Sequence, residues 1–177
     1  MNTDTENRAA EGGSIPSSAV LGEMAWLYSM SDLHRTWPMG AIHQWLLPAL
    51  INKQYRIYHK GKKPVGLVTW AHMTAEVETA YVLNTRSLQP KNWTGGDRNW
   101  IIDFIAPFGD ALQIGHDLRA NVFPNEVGRI LQVRKGSDTM KIAYIHGIKA
   151  TDKARDWDAN PTVDIGVDAT RGGEKNG

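Results

Sequence analysis

The sequence predicts an α+β domain in which two N-terminal helices precede a mainly antiparallel sheet. Apolar residues recur at helical spacing in the first part of the chain, and they recur at every second residue after about residue 54. Short turn-forming segments separate the later alternating stretches. Helices followed by hairpin-linked strands are typical of α+β proteins.

Two polar segments flank the predicted domain. Residues 1–17 are rich in Gly, Ser, Thr and Asn, and we expect them to form a disordered leader. Apolar and aromatic residues are dense over 18–150, which we take as the folded domain, whereas 151–177 form a polar tail. The whole chain of 177 residues has the size of one domain.

The first helix is predicted over Val20–Met30, because Met24 and Leu27 share one apolar face at helical spacing. A second helix is predicted to begin at Pro38, since the N–H that proline lacks would be unpaired in a first turn. Pro48 should kink this second helix or confine it to its final turns.

Strands follow from period-two alternation, and one further helix is predicted over 110–121. Lys135–Asp138 has the composition of a turn between the last two strands. The predicted strands are Tyr55–His59, Val65–Ala71, Val77–Val82, Trp100–Ile105, Ile130–Arg134 and Met140–His146.

Charge and composition exclude several classes of protein. The chain has 20 Lys and Arg against 19 Asp and Glu, which argues against a nucleic-acid or polybasic membrane binder. It has no cysteine, so disulfides, thiolate metal sites and thiol nucleophiles are excluded. No apolar stretch is long enough for a transmembrane helix, and the polar N-terminus lacks the features of a signal peptide. We therefore expect a cytoplasmic protein.

The common catalytic motifs are missing from the sequence. It contains no phosphate-binding loop, dinucleotide fingerprint, nucleophile elbow or zinc-protease motif. The six histidines lack the spacing of metal ligands, so we expect neither a bound metal nor a cofactor. Acid–base chemistry is then left to His, Asp or Glu side chains.

Two residues stand out as candidates for that chemistry. His34 lies in the link Ser31–Pro38 between the predicted helices, and such links often carry function. The alternative is a structural histidine that caps a helix or packs on a neighbouring tryptophan. Asp103 interrupts an apolar strand, where alternation gives it the same face as Ile101 and Ile105. It points either into a cleft or into the core, where a structural carboxylate would need a backbone or arginine partner.

Four segments, in order, resemble the RTX toxin-activating lysine-acyltransferases, the haemolysin-activating C proteins of RTX toxin operons. The resemblance runs from about Leu21 to Gly147. The resemblance implies transfer of a fatty acyl group from acyl-carrier protein to internal lysines of an RTX protoxin, by a GNAT-like domain that tends to form a homodimer. The segments are LGEMAWLYSMSDLHRTWP (21–38), LPALINKQYRIY (47–58), GDRNWIIDFIAPFGD (96–110) and FPNEVGRILQVRKG (123–136).

The resemblance also assigns residues. The essential histidine of the family falls on His34, its catalytic aspartate on Asp103, and a serine that matters in the family on Ser31. The serine is followed here by Asp-Leu rather than the more usual Pro-Leu or Pro-Met. His34 would act as general base, with Asp103 orienting it or helping to deprotonate the lysine. An acyl-histidine intermediate is a variant of this mechanism, and the alternative function is a non-catalytic adaptor that binds the toxin or the carrier.

The predicted order of elements resembles the GNAT acetyltransferase architecture, whose members that use coenzyme A bind its pyrophosphate in a glycine-rich loop. The corresponding loop here, Ala106–Ala111, has one glycine, a proline and an acidic residue. A carrier-protein donor fits such a loop better. Candidate contacts to an acidic carrier are Arg35, Lys53, Arg56, Lys60, Lys62, Lys63 and Arg98.

Overall fold

A sheet whose strand order follows the chain runs through the centre of the protein. The computed structural model describes residues 18–133, 139–150 and 165–166. Within these residues every neighbouring pair of strands is antiparallel except the third and fourth, which are parallel, so the predicted α+β class is confirmed. The strands are β1 (Tyr55–Lys60), β2 (Lys63–Met73), β3 (Arg98–Ile105), β4 (Val127–Val133), β5 (Thr139–His146) and β6 (Ile165–Gly166).

Helices cover the sheet, and three of them match predicted ones. Pro48 lies in the first turn of the second helix, directly after a π-helical turn at Ile42–Leu46. A second π-helical turn, Leu118–Val122, extends the last helix. None of the helices in the described residues is long and apolar enough to cross a membrane. The helices are α1 (Ser18–Met30), α2 (Leu47–Ile51), α3 (Ala75–Leu83) and α4 (Ala111–Asp117).

The strand predicted over Val77–Val82 is wrong, because this segment lies in α3. The side chain of Thr74 accepts a hydrogen bond from the backbone N–H of Val77 and so caps the helix. Glu76 and Glu78 lie in the first turn, where negative charge stabilises a helix. These local signals outweigh the alternation of apolar residues on which the prediction rested.

The two faces of the sheet pack against different helices. Leu67 and Ile105 contact α1 and α2, and the neighbouring Trp100 belongs to the core cluster that includes α3. On the opposite face, Val68 and Ile101 pack against α4 and the π-helical turn that follows it. The result is a three-layer arrangement with helices on both sides of the sheet.

One extra residue in β3 changes which face Asp103 occupies. Thr69 of β2 lies opposite Asp103 and the next residue, Trp70, lies opposite Ile101, so Ile102 is a β-bulge. A bulge shifts the alternation of side chains by one residue. The prediction that Asp103 shares a face with Ile105 is right, but Ile101 lies on the opposite face, against α4.

The parallel pairing between β3 and β4 ends before Asp103. The parallel register joins Asn99–Ile101 to Gly128–Ile130, and Asp103 lies beyond it. β4 and β5 form the predicted antiparallel pair. Their predicted turn at 135–138, the leader 1–17 and most of the tail 151–177 lie outside the described residues, although two residues of the tail form β6.

Candidate active site

Ser31, His34 and Asp103, the three residues that the family resemblance assigns to the site, lie together in the structure. Ser31 and His34 belong to the turn that follows α1, where the backbone N–H of His34 donates to the carbonyl of Ser31 at 3.1 Å. The carbonyl of His34 in turn accepts from the N–H of Trp37 at 2.9 Å. β3 brings Asp103 to this turn from 69 positions further along the chain.

His34 and Asp103 form a buried pair. Nε2 of His34 lies 3.2 Å from Oδ1 of Asp103, and the two residues are only 5% and 2% exposed. Burying a carboxylate is costly unless hydrogen bonds replace its water. Hydrogen bonds from side chains of the site offset this cost, so Asp103 is paired with His34 and is not isolated in the core.

The second oxygen of Asp103 accepts two further hydrogen bonds. The hydroxyl of Tyr28, on α1, donates to Oδ2 at 2.8 Å, and the hydroxyl of Thr69, on β2, donates at 2.9 Å. The oxygen of Thr69 also accepts from the backbone N–H of Asp103 at 3.1 Å. Hydrogen bonds of this kind stabilise the ionised carboxylate and fix its orientation.

This network determines which nitrogen of His34 carries the proton. Because an ionised carboxylate only accepts hydrogen bonds, we assign the proton of the imidazole to Nε2, which then donates to Asp103 and leaves the lone pair on Nδ1. The hydroxyl oxygen of Ser31 lies 2.7 Å from Nδ1 and therefore donates to it. Ser31, which is partly exposed, is the outermost member of a chain that runs through His34 to Asp103.

Two aromatic rings hold the imidazole in place. The ring centroids of Tyr28 and Trp37 each lie 4.5 Å from the centroid of His34. The two aromatic rings also meet edge to face at 5.8 Å. The packing on Trp37 that we considered as a structural alternative is therefore present together with the hydrogen bonds to Ser31 and Asp103.

A cavity of about 140 Å³ opens beside His34. Met39 contributes to its wall and is 81% exposed, so apolar surface extends from the buried histidine to solvent. The lining combines apolar side chains with the imidazole of His34. Its lining residues are Ala25, Tyr28, Ser29, His34, Arg35, Trp37, Pro38, Met39, Ala41 and Ile42.

Sequence reasoning did not identify Tyr28 and Thr69 as residues of the site. Tyr28 falls beside Met24 and Leu27 in a predicted helix, where an aromatic ring signals core packing. A buried tyrosine hydroxyl nevertheless needs a hydrogen-bond partner, and this requirement indicates a polar neighbour for Tyr28. Thr69 interrupts the apolar run of β2 as Asp103 interrupts that of β3, and the two interruptions lie opposite each other.

The loop after β3 carries an acidic group at the start of α4. Asp110 is buried, its Oδ1 lies 2.6 Å from Nζ of Lys60, and its side chain makes no capping hydrogen bond to the helix. Its Oδ2 is buried without a hydrogen-bond partner among the described residues. A pyrophosphate at this helix end would face a carboxylate. Across the described ranges no group of three or more His, Asp or Glu residues is arranged to hold a metal ion.

Most of the basic residues that we proposed as carrier contacts are paired. Arg56 forms an ion pair with Asp117, which also accepts a hydrogen bond from the hydroxyl of Tyr58. Burial and this hydrogen bond raise the pKa of Tyr58 well above its ordinary value. Arg98 contacts Glu78, and this pair is partly buried. The paired residues are Arg35 with Asp32, Arg56 with Asp117, Lys60 with Asp110 and Arg98 with Glu78.

Comparison with known proteins gives one consistent result. The profile of the RTX toxin acyltransferase family matches residues 14–146. The RTX-I toxin-activating lysine-acyltransferase ApxIC of Actinobacillus pleuropneumoniae is 41% identical over 134 residues, which cover 76% of this chain and 77% of the relative. The protein-lysine myristoyltransferase HlyC of Escherichia coli is 37% identical over 130 residues, 73% of this chain and 76% of the relative. The leukotoxin-activating lysine-acyltransferase LtxC of Aggregatibacter actinomycetemcomitans is also 37% identical over 130 residues, 73% and 77% of the two chains.

Proposed function

The chain belongs to the RTX toxin acyltransferase family and is an acyltransferase, and we propose that it transfers a fatty acyl group from acyl-carrier protein to internal lysines of an RTX protoxin. The observation that carries the proposal is the hydrogen-bonded chain Ser31–His34–Asp103 beside an apolar cavity. The relatives ApxIC and LtxC are toxin-activating lysine-acyltransferases, which supports the same substrate class.

The acceptor needs a base before it can react. A lysine side chain with the ordinary pKa of about 10.4 is roughly 99.9% protonated at neutral pH, and an ammonium group has no lone pair for attack. We assign the base to Nδ1 of His34, which receives the proton through the hydroxyl of Ser31. Asp103 holds the ring through Nε2 and stabilises the imidazolium that forms.

The proposed reaction then balances as follows. The neutral lysine nitrogen attacks the thioester carbonyl, a C–N bond forms, and the C–S bond breaks. The proton held by His34 passes to the departing thiolate, so the carrier leaves as a thiol. The second proton of the amine leaves to solvent, and the product is an amide.

Acylation of His34 itself is the less favoured variant. Nε2 lies against Asp103 and Nδ1 against Ser31, so both nitrogens of the ring already make hydrogen bonds. A nucleophilic imidazole would have to give up its hydrogen bond to Ser31 before attacking the thioester. The same hydrogen bond supports a base that works through the serine hydroxyl.

The loop after β3 supports a carrier-protein donor. The phosphates of free coenzyme A would meet the buried carboxylate of Asp110 at the start of α4. A carrier protein keeps its single phosphate on its own surface and sends only the thioester arm into the site. We further propose that the chain works as a homodimer, as the family resemblance implies, which sedimentation of the purified protein tests.

The test is acylation of the protoxin, followed by its intact mass. Co-expression of this chain with a protoxin should add the mass of a C14–C18 acyl group, and His34→Ala should abolish that gain. The matched control is His116→Ala, an exposed histidine on α4, which should leave the gain unchanged. Near-wild-type acylation by His34→Ala would refute the base, whereas co-purification of chain and protoxin with no mass gain would favour the adaptor function.

A further inference from the structure

A cluster of two aromatic rings and a lysine lies at the surface beside the β1–β2 hairpin. Trp26 of α1 stacks on Phe108 of the loop after β3, with ring centroids 5.8 Å apart. Nζ of Lys63 lies 3.9 Å from the centroid of Phe108 and 6.0 Å from that of Trp26. Phe108 is 39% exposed. We call these three residues the aromatic–lysine cluster.

The hairpin turn beside the cluster is rich in lysine. The hairpin turn brings Lys60, Lys62 and Lys63 together, and all three are exposed. Lys60 is held by Asp110, but neither Lys62 nor Lys63 has a salt-bridge partner among the residues that the structure describes. Two unneutralised ammonium groups beside an exposed aromatic pair offer attraction to an acidic surface and contact with apolar side chains.

The cluster lies close to the active site but outside its cavity. Trp26 precedes Tyr28 by two positions on α1, and Phe108 follows Asp103 by five positions along the chain. Five residues span at most about 18 Å when fully extended. Neither Trp26, Phe108 nor Lys63 lines the cavity beside His34, so a partner bound at the cluster leaves that cavity open.

We infer that the aromatic–lysine cluster, together with Lys62, is the surface on which acyl-carrier protein docks. The inference rests on the proposed function, since it assumes a carrier-protein donor. An acidic carrier complements the two lysines, and Phe108 lies within about 18 Å of Asp103, the partner of His34. The ammonium group of an acceptor lysine would be repelled by the same surface.

The test is a charge-reversed variant, Lys62→Glu with Lys63→Glu, measured with acyl-carrier protein and protoxin. We expect KM for the carrier to rise at least about ten-fold, while kcat at saturating carrier stays within about two-fold. Added salt should raise the KM of the unmodified chain and affect that of the variant much less. The matched control is Lys91→Glu with Lys149→Glu, which reverses the charge of two exposed lysines elsewhere. The KM of this control variant for the carrier should not change.

Direct binding separates failure of this inference from failure of the proposed function. Titration with holo-carrier that bears no acyl group should show weaker binding to the charge-reversed variant than to the control variant. The docking surface stands if that holds, even where no acyl transfer is detected. The docking surface is refuted if the charge-reversed variant binds the carrier with unchanged affinity. It is also refuted if that variant binds the carrier normally but no longer binds the protoxin. Phe108→Ala should also weaken carrier binding, since it removes the exposed ring.

Discussion

The hydroxyl of Tyr28 donates a 2.8 Å hydrogen bond to Oδ2 of Asp103, across 75 positions of sequence. This bond links α1 to β3 beside His34. The ring of Tyr28 also packs on the imidazole, with centroids 4.5 Å apart. One side chain thus positions both members of the buried pair, the carboxylate through its hydroxyl and the histidine through its ring.

Tyr28→Phe separates these two roles, because it keeps the ring and removes only the hydroxyl. Hydrogen bonds to charged groups contribute about 1.5–3 kcal/mol, so we expect kcat to fall roughly 10- to 100-fold with little change in KM for the carrier. Tyr55→Phe is the matched control, since Tyr55 is a partly buried tyrosine of β1 that packs in the core. Equal kcat values for the two variants would show that the hydroxyl does not position Asp103.

Ser31→Ala tests the outer end of the chain. The backbone carbonyl of Ser31, which holds the turn by accepting from His34 and Arg35, is unchanged by this substitution. We expect kcat to fall about ten-fold, less than with His34→Ala, because water can take the place of a hydroxyl at this partly exposed position. Ser31→Thr keeps the hydroxyl and should restore most of the activity. Full activity of Ser31→Ala would remove Ser31 from the proton path.

How much of this site was predictable depends on the residue. The segment around His34 and the position of Asp103 within an apolar strand single out both residues from the sequence alone. The partners of Asp103 were not found, because Tyr28 looks like a core residue and Thr69 acquires its role only through strand register. The bulge at Ile102 likewise depends on pairing between strands, which period-two alternation within one strand does not report.

A close backbone contact gives a prediction about stability. A Cβ at Gly96 would collide with the backbone of Met73 at the end of β2, and the N–H of Gly96 donates to the carbonyl of His72 at 3.1 Å. Gly96→Ala should therefore destabilise the protein by about 1–3 kcal/mol, the usual cost of overpacking. Gly22→Ala on α1 is the control, since a Cβ there meets nothing within 4 Å and alanine favours a helix. Urea unfolding of both variants measures the difference.

The last prediction concerns the choice of donor. Asp110 places a buried carboxylate at the start of α4, with Nζ of Lys60 2.6 Å from its Oδ1. Lys60 contacts only Oδ1, whereas Oδ2 is buried without a hydrogen-bond partner among the described residues, so a phosphate of coenzyme A bound at this helix end would lie against a carboxylate oxygen. Two like charges repel strongly where water is excluded. We therefore expect kcat/KM for free acyl-CoA to be at least about 100-fold lower than for acyl-carrier protein with the same chain, which corresponds to about 2.7 kcal/mol.

Asp110→Asn tests whether the carboxylate is the cause of this discrimination. The variant keeps the size of the side chain and removes its charge, and it also frees Lys60 for a phosphate. We expect kcat/KM to rise more for acyl-CoA than for the carrier, since coenzyme A presents several phosphate charges and the arm of the carrier presents one. Turnover of acyl-CoA by the unmodified chain as efficient as that of the carrier would contradict the argument from the loop. If discrimination persists in Asp110→Asn, its origin is the protein surface of the carrier rather than the charge at α4.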